Sequence, residues 1–151
     1  ENQLANEAAF SDGWFFTGDM GYIDKDNFVH ITGRKKNVIV TKNGKNIYPE
    51  EIETLLNRSD LIKESLVYGK EGSSDTDLTV SAIIIPDMDK IEELYKDISL
   101  SPQKIFELIK DEVKKVNSKL VTYKYVKDIE IRNEEFAKTT TNKIKRYIEK
   151  K

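Results

Sequence analysis

Three stretches of the sequence carry residues whose types and spacing can do chemistry. In the first, Gly13-Trp14-Phe15-Phe16-Thr17-Gly18-Asp19, followed by Gly21-Tyr22-Ile23-Asp24, sets a carboxylate directly after a glycine at a strand end. A carboxylate held there can accept two hydrogen bonds from a vicinal diol such as a ribose, each worth roughly 1.5 to 3 kcal/mol because the acceptor is charged. The same string also fits an ordinary turn aspartate. The second stretch, Gly33-Arg34-Lys35-Lys36-Asn37-Val38-Ile39-Val40, runs on to Gly44-Lys45-Asn46-Ile47-Tyr48-Pro49. Its three adjacent cations, taken alone, read as a solvated connector. The third, Lys138-Thr139-Thr140-Thr141-Asn142-Lys143-Ile144-Lys145-Arg146, taken alone, reads as the start of a basic, solvated terminal helix.

The elements that must position these residues follow from local signals. Trp14 to Thr17 and Phe28 to Thr32 read as strands of a hairpin, joined through the turn-rich Asp24-Lys25-Asp26-Asn27. Asn37 to Thr41 and Lys45 to Tyr48 form a second pair around Lys42-Asn43-Gly44, where Gly44 supplies a positive φ. Pro49 at a first helical position, the acids Glu50, Glu51 and Glu53, and the apolar face of Ile52, Leu55 and Leu56 predict a short helix. Leu61 to Tyr68 and Leu78 to Ile85 read as buried strands with a polar loop from Lys70 to Asp77 between them.

Ser101-Pro102 is an N-cap and first-turn pair, and Ile105, Leu108, Ile109, Val113, Val116 and Leu120 recur behind it at helical spacing. Val126 to Ile131 reads as a strand and Asn142 to Lys150 as a last helix. The expected class is α+β: a small domain with a β-hairpin and a short mixed sheet packed with helices, preceded by a β-hairpin segment.

Composition narrows the chemistry. With 38% apolar and 34% charged residues among 151, the chain is polar yet hydrophobic enough to fold as one domain or a domain plus part of another. Twenty-seven acids against twenty-five bases leave a formal charge of -2, so no global field draws it to nucleic acid or anionic lipid. With no cysteine and a single histidine, His30, disulfides, thiol nucleophiles and zinc clusters are set aside, and no metal site is expected. His30 lies in a strand pattern and reads as a structural or surface residue. The lack of cysteine fits a cytoplasmic protein, and no stretch approaches the length of a spanning apolar helix. The chain opens on Glu1 in mid-pattern, which predicts that it is a piece of something longer.

The first two strings, in this order, resemble the late core motifs of the adenylate-forming superfamily, which includes acyl-CoA synthetases, amino-acid-adenylating domains and luciferases. Gly33-Arg34-Lys35-Lys36, with Thr41, Gly44, Lys45 and Asn46 downstream, looks most like the long-chain fatty acyl-CoA ligase branch. The third string then resembles the last motif of the family. The resemblance covers essentially the whole chain.

The resemblance implies that Asp19 binds the ribose hydroxyls of ATP and acyl-AMP and that Arg34 supports the same ribose or a nearby phosphate. Lys36 falls at the hinge about which the small domain rotates between adenylating and thioester-forming poses. Lys143 is the lysine that reaches the acyl carboxylate and the α-phosphate, where a preorganised cation stabilises the charge that builds on attack. Rotation then withdraws Lys143 and turns the Gly44-Lys45-Asn46 loop toward CoA. Asn142 stands where the last motif more often has glycine, and Val40 where some relatives carry a lysine.

By the same resemblance, residues 1–35 close the large N-terminal domain and 36–151 form the mobile C-terminal domain. The substrates implied are a fatty acid, ATP with Mg2+, and CoA; the partner is the large domain itself, with peripheral membrane contact open to the parent. The phosphate loop, adenine pocket, acyl tunnel and magnesium-binding glutamate of the family lie in the large domain, so this chain alone is expected to be inactive and to hold no cofactor tightly. Trp14, Phe15 and Phe16 lose their neighbours, and the first thirty or so residues are expected to pack non-natively, to lack order, or to drive self-association. The alternatives are the C-terminal subdomain of an amino-acid-adenylating domain that loads a carrier protein, and a non-catalytic interaction module with this fold.

Overall fold

A computed structural model describes residues 3–71, 78–96 and 100–149. A short helix α1 (Gln3–Ala9) leads into β1 (Phe10–Ser11) and β2 (Trp14–Phe15), then β3 (Asp19–Ile23) and β4 (Val29–Arg34). A 3-10 turn, Lys35–Asn37, separates these from β5 (Ile39–Val40) and β6 (Asn46–Ile47). The rest comprises α2 (Pro49–Leu56), β7 (Ile62–Glu71), β8 (Leu78–Pro86), α3 (Met88–Leu94), α4 (Pro102–Asn117), β9 (Asp128–Ile131) and α5 (Arg146–Glu149). The α+β class holds.

The largest sheet has the order β7-β8-β9, antiparallel between β7 and β8 and parallel between β8 and β9. Period-two alternation of long β-branched runs lets it bury both faces. On one face Val67, Val80, Ala82 and Ile84 pack with Ile52 and Leu56 of α2, Ile91 of α3, and Ile109, Val113 and Val116 of α4. On the other, Leu66, Ile83 and Ile85 are covered by Phe136 and Ile144. Each fully buried isoleucine contributes about 2 to 3 kcal/mol of transfer free energy. Helix α4 starts as its sequence demands: Ser101 Oγ accepts from the Lys104 N–H at 3.2 Å and Pro102 fills the first turn.

Several expectations need correction. The partner of β4 is Asp19–Ile23, not Trp14 to Thr17; Trp14 and Phe15 pair instead with Ser11 and Phe10. Asp12 and Gly13, at φ 51° and 80°, make a two-residue turn of the primed type, which closes that earlier hairpin. Gly18, at φ 75°, then breaks the strand before Asp19. Within the polar lead, Gln3–Ala9 is helical, and Lys35–Asn37 coil before β5 begins at Ile39.

Lys70 and Glu71 continue β7, while residues 72–77 of the expected loop lie outside the described residues. Helix α3 went unforeseen although its cap is in the sequence: the Asp87 carboxylate accepts from the Lys90 N–H at 3.1 Å. The expected helix from Asn142 contracts to Arg146–Glu149, because Lys138 and Ile144 bridge as antiparallel partners and the chain between them is a loop. Lys150 lies outside the described residues.

Candidate functional site

Asp19, Arg34 and Lys143 border one cleft of about 1400 Å³ between the β3–β4 hairpin, α2 and the loop before α5. The cleft also takes in His30, Glu50 and Lys124. Asp19 and Arg34 are registered cross-strand partners, and Arg34 Nε lies 2.8 Å from Asp19 Oδ1. Arg34 Nη1 also donates to the Thr17 carbonyl at 3.0 Å, and the Lys35 N–H donates to the Gly18 carbonyl at 2.9 Å. One guanidinium therefore fixes the Thr17-Gly18-Asp19 turn and its carboxylate together, a task suited to the planar fork of arginine.

Lys143 sits at the end of a tight loop. Thr139 and Lys143 are joined twice: the Thr139 N–H donates to the Lys143 carbonyl at 2.8 Å, and the Thr139 side-chain Oγ1 accepts from the Lys143 N–H at 3.1 Å. Asn142 adopts φ 61°, the left-handed region that glycine reaches freely and asparagine tolerates best among the other residues. A glycine at this position would meet the same backbone requirement. The Lys143 side chain is exposed, and among the described residues its ammonium makes no salt bridge.

His30 borders the cleft but is engaged in the β3–β4 turn. Its Nε2 lies 2.6 Å from Asp24 Oδ2 and its ring stacks on Tyr22 at 4.9 Å. The other Asp24 oxygen accepts from the Asp26 and Phe28 N–H groups at 2.9 Å each. The His30 contact, aided by the Phe28 and Asp26 amides, holds the Asp24 carboxyl below the usual range.

Lys36 is exposed in the 3-10 turn next to Asn37, whose Nδ2 donates to Glu50 Oε1 at 2.5 Å. Gly44 and Lys45 lie in the β5–β6 turn and Asn46 opens β6 opposite Val40, with Gly44 at φ 68° and Thr41 Oγ1 accepting from the Lys45 N–H at 3.0 Å. That turn is exposed and is not part of the cleft lining, so the structure groups Asp19, Arg34 and Lys143 and leaves Lys45 elsewhere.

Sequence reasoning missed the charged cluster beneath Lys143. Arg146 pairs with Glu53, lies 3.7 Å from Glu50, and donates to the Val67 carbonyl at 3.1 Å. Burial pushes the Glu53 carboxyl up, against the opposing pull of Arg146 and the Val67 N–H. Glu149 accepts from the Ala137 N–H at 2.7 Å and pairs with Arg132, contacts that hold its carboxyl below the usual range. Glu50 and Glu53 were visible only as helix-start acids, and Arg146 only as one more cation in a basic run.

The chain matches the model of the AMP-binding enzyme C-terminal domain over residues 36–148, and it belongs to that family. It is similar to the long-chain-fatty-acid–CoA ligase FadD15 of Mycobacterium tuberculosis, 50% identical over 68 residues, covering 45% of this chain and 11% of that protein. It is also similar to the 2-succinylbenzoate–CoA ligase of Listeria monocytogenes, 34% identical over 96% of this chain and 27% of that protein. Among solved structures, o-succinylbenzoate CoA synthetase (MenE) from Bacillus subtilis, in complex with its acyl-adenylate intermediate OSB-AMP, superposes with a TM-score of 0.73 at 26% identity, over 99% of this chain and 27% of that one. The chain thus spans about a quarter or less of the length of these relatives.

Proposed function

We propose that this chain is the C-terminal part of an AMP-forming acyl-CoA ligase, caught in the arrangement that serves adenylation. The observation that carries the reading is that Asp19, Arg34 and Lys143, from opposite ends of the sequence, border one cleft. An acyl carboxylate would attack the α-phosphorus of ATP, brought in with its Mg2+, and release pyrophosphate. Asp19 would hold the ribose hydroxyls with Arg34 steadying it, and the Lys143 ammonium would meet the charge that grows on the phosphoryl oxygens. In the second half-reaction the domain would rotate at Lys36 and offer the Gly44-Lys45-Asn46 turn to CoA. A family match that begins at residue 36 supports a domain boundary there.

For the acid we favour a long-chain fatty acid, on the identity to FadD15 over 68 residues. A compact carboxylic acid is the second reading, favoured by the similarity to a 2-succinylbenzoate ligase along nearly the whole chain. The similarity to CoA ligases argues against an amino-acid-adenylating domain that loads a carrier protein. The apolar side chains of Trp14, Phe15, Ile23, Phe28 and Val29, each more than half exposed, are the ones we assign to contact with the large domain.

The test is the full-length ligase with Lys143→Ala. Adenylation, followed by ATP–pyrophosphate exchange, is expected to fall by about 100-fold or more, as for loss of a preorganised charge-stabilising donor. Thioester formation from supplied acyl-adenylate is expected to stay within a few-fold of the parent. Equal loss of both half-reactions would overturn the two-pose reading. The isolated chain is expected to show no exchange.

A further inference from the structure

We propose that Arg146 is a positioning residue for Lys143: clamped by Glu53, it fixes the loop so that the ammonium reaches the cleft. The proposal rests on Lys143 being the adenylating lysine. Arg146 opens α5 three residues after Lys143, and its guanidinium engages two elements at once. Nη2 pairs with the Glu53 carboxylate of α2, and Nη1 donates to the Val67 carbonyl of β7 at 3.1 Å. The other oxygen of Glu53 accepts the Val67 N–H at 2.6 Å, so Glu53 and Arg146 close on the same residue from both sides. Only 15% of the Arg146 side chain and 11% of that of Glu53 remain exposed.

A buried pair of this kind is a weak source of stability, because desolvation offsets most of its attraction. What a planar guanidinium bound at both ends does supply is a defined location for the backbone that bears it. Three further contacts converge on the same short segment. Ile144 packs on the second face of the sheet, Lys138 pairs with Glu64 at 2.6 Å, and Glu149 binds the Ala137 amide and Arg132. Lys143 is left as the exposed side chain between fixed points. Glu50, 3.7 Å from Arg146, also accepts from Asn37, so this one carboxylate lies between Arg146 and the residue beside Lys36.

A double-mutant cycle in the full-length ligase tests this. Adenylation is measured in the parent, Arg146→Ala, Lys143→Ala and the double variant, with thioester formation from supplied acyl-adenylate alongside. Arg146→Ala is expected to slow adenylation about tenfold or more in the parent background and less than twofold in the Lys143→Ala background, since its effect passes through the lysine. Thioester formation is expected to stay within twofold. Should Arg146→Ala fail to fold, the pair E53Q/R146M, which removes both buried charges, replaces it in the same cycle. Independent, multiplicative losses, or normal adenylation in the Arg146 variants while Lys143→Ala is impaired, overturn the positioning role alone. Normal adenylation in Lys143→Ala overturns the reading of the lysine and the positioning role with it.

Discussion

Asp19 and Arg34 face each other as the terminal registered pair of β3 and β4, Nε to Oδ1 at 2.8 Å, at the edge of the cleft that Lys143 also borders. Both side chains are about a third to a half exposed, so the pair contributes little to stability, about 0 to 1 kcal/mol. Its value lies in presenting a carboxylate with a fixed direction. Asp19→Asn in the full-length ligase is therefore expected to raise the KM for ATP about tenfold or more, with a melting temperature within a few degrees of the parent. An unchanged KM would remove Asp19 from the nucleotide site.

The left-handed turn at Asn142 makes a second prediction. Asn142→Gly relieves any residual steric cost and is expected to leave melting and adenylation near the parent. Asn142→Ala, which places a Cβ at φ 61° without the local bonding of asparagine, is expected to cost about 1 kcal/mol and to slow adenylation. Equal behaviour of the two variants would show that the turn does not set Lys143.

Gly21 sits at the register shift of β3, where an added Cβ would run into the His30 carbonyl of β4. A backbone atom cannot swing aside as a side chain can, so Gly21→Ala is expected to open this hairpin selectively. Amide exchange should quicken across β3 and β4 while β7, β8 and β9 keep their protection. Uniform protection in the variant would show that the strands shift to accept the methyl group.

Acid should loosen the segment after Lys143 through Glu149. The Ala137 amide and Arg132 lower its folded pKa, so the stability it confers is present above the ordinary glutamate range near 4.5 and is lost as pH falls through the lowered value. Glu149→Gln is expected to melt below the parent at pH 7, and the gap should close progressively as pH falls below the ordinary glutamate range. A gap independent of pH would assign the difference to packing.

Much of this fold is written locally. Pro49 with the acids behind it, Ser101-Pro102, and the β-branched runs of β7 and β8 act through capping, helix dipole and period-two burial, which depend on near neighbours along the chain. The strings around Asp19, Arg34 and Lys143 read as a turn, a connector and a basic helix when taken singly, and point to a candidate site only together, through their resemblance to the family's motifs. Tertiary structure alone decided which strand joins β4, because the backbone conformations of Asp12, Gly13 and Gly18 divide a continuous aromatic run between two hairpins. It alone joined Arg146 to Glu53, 93 residues away, and brought Lys143 to the cleft of Asp19. Neither association leaves a periodic trace, since a charge pair needs a partner in space and not a spacing in sequence.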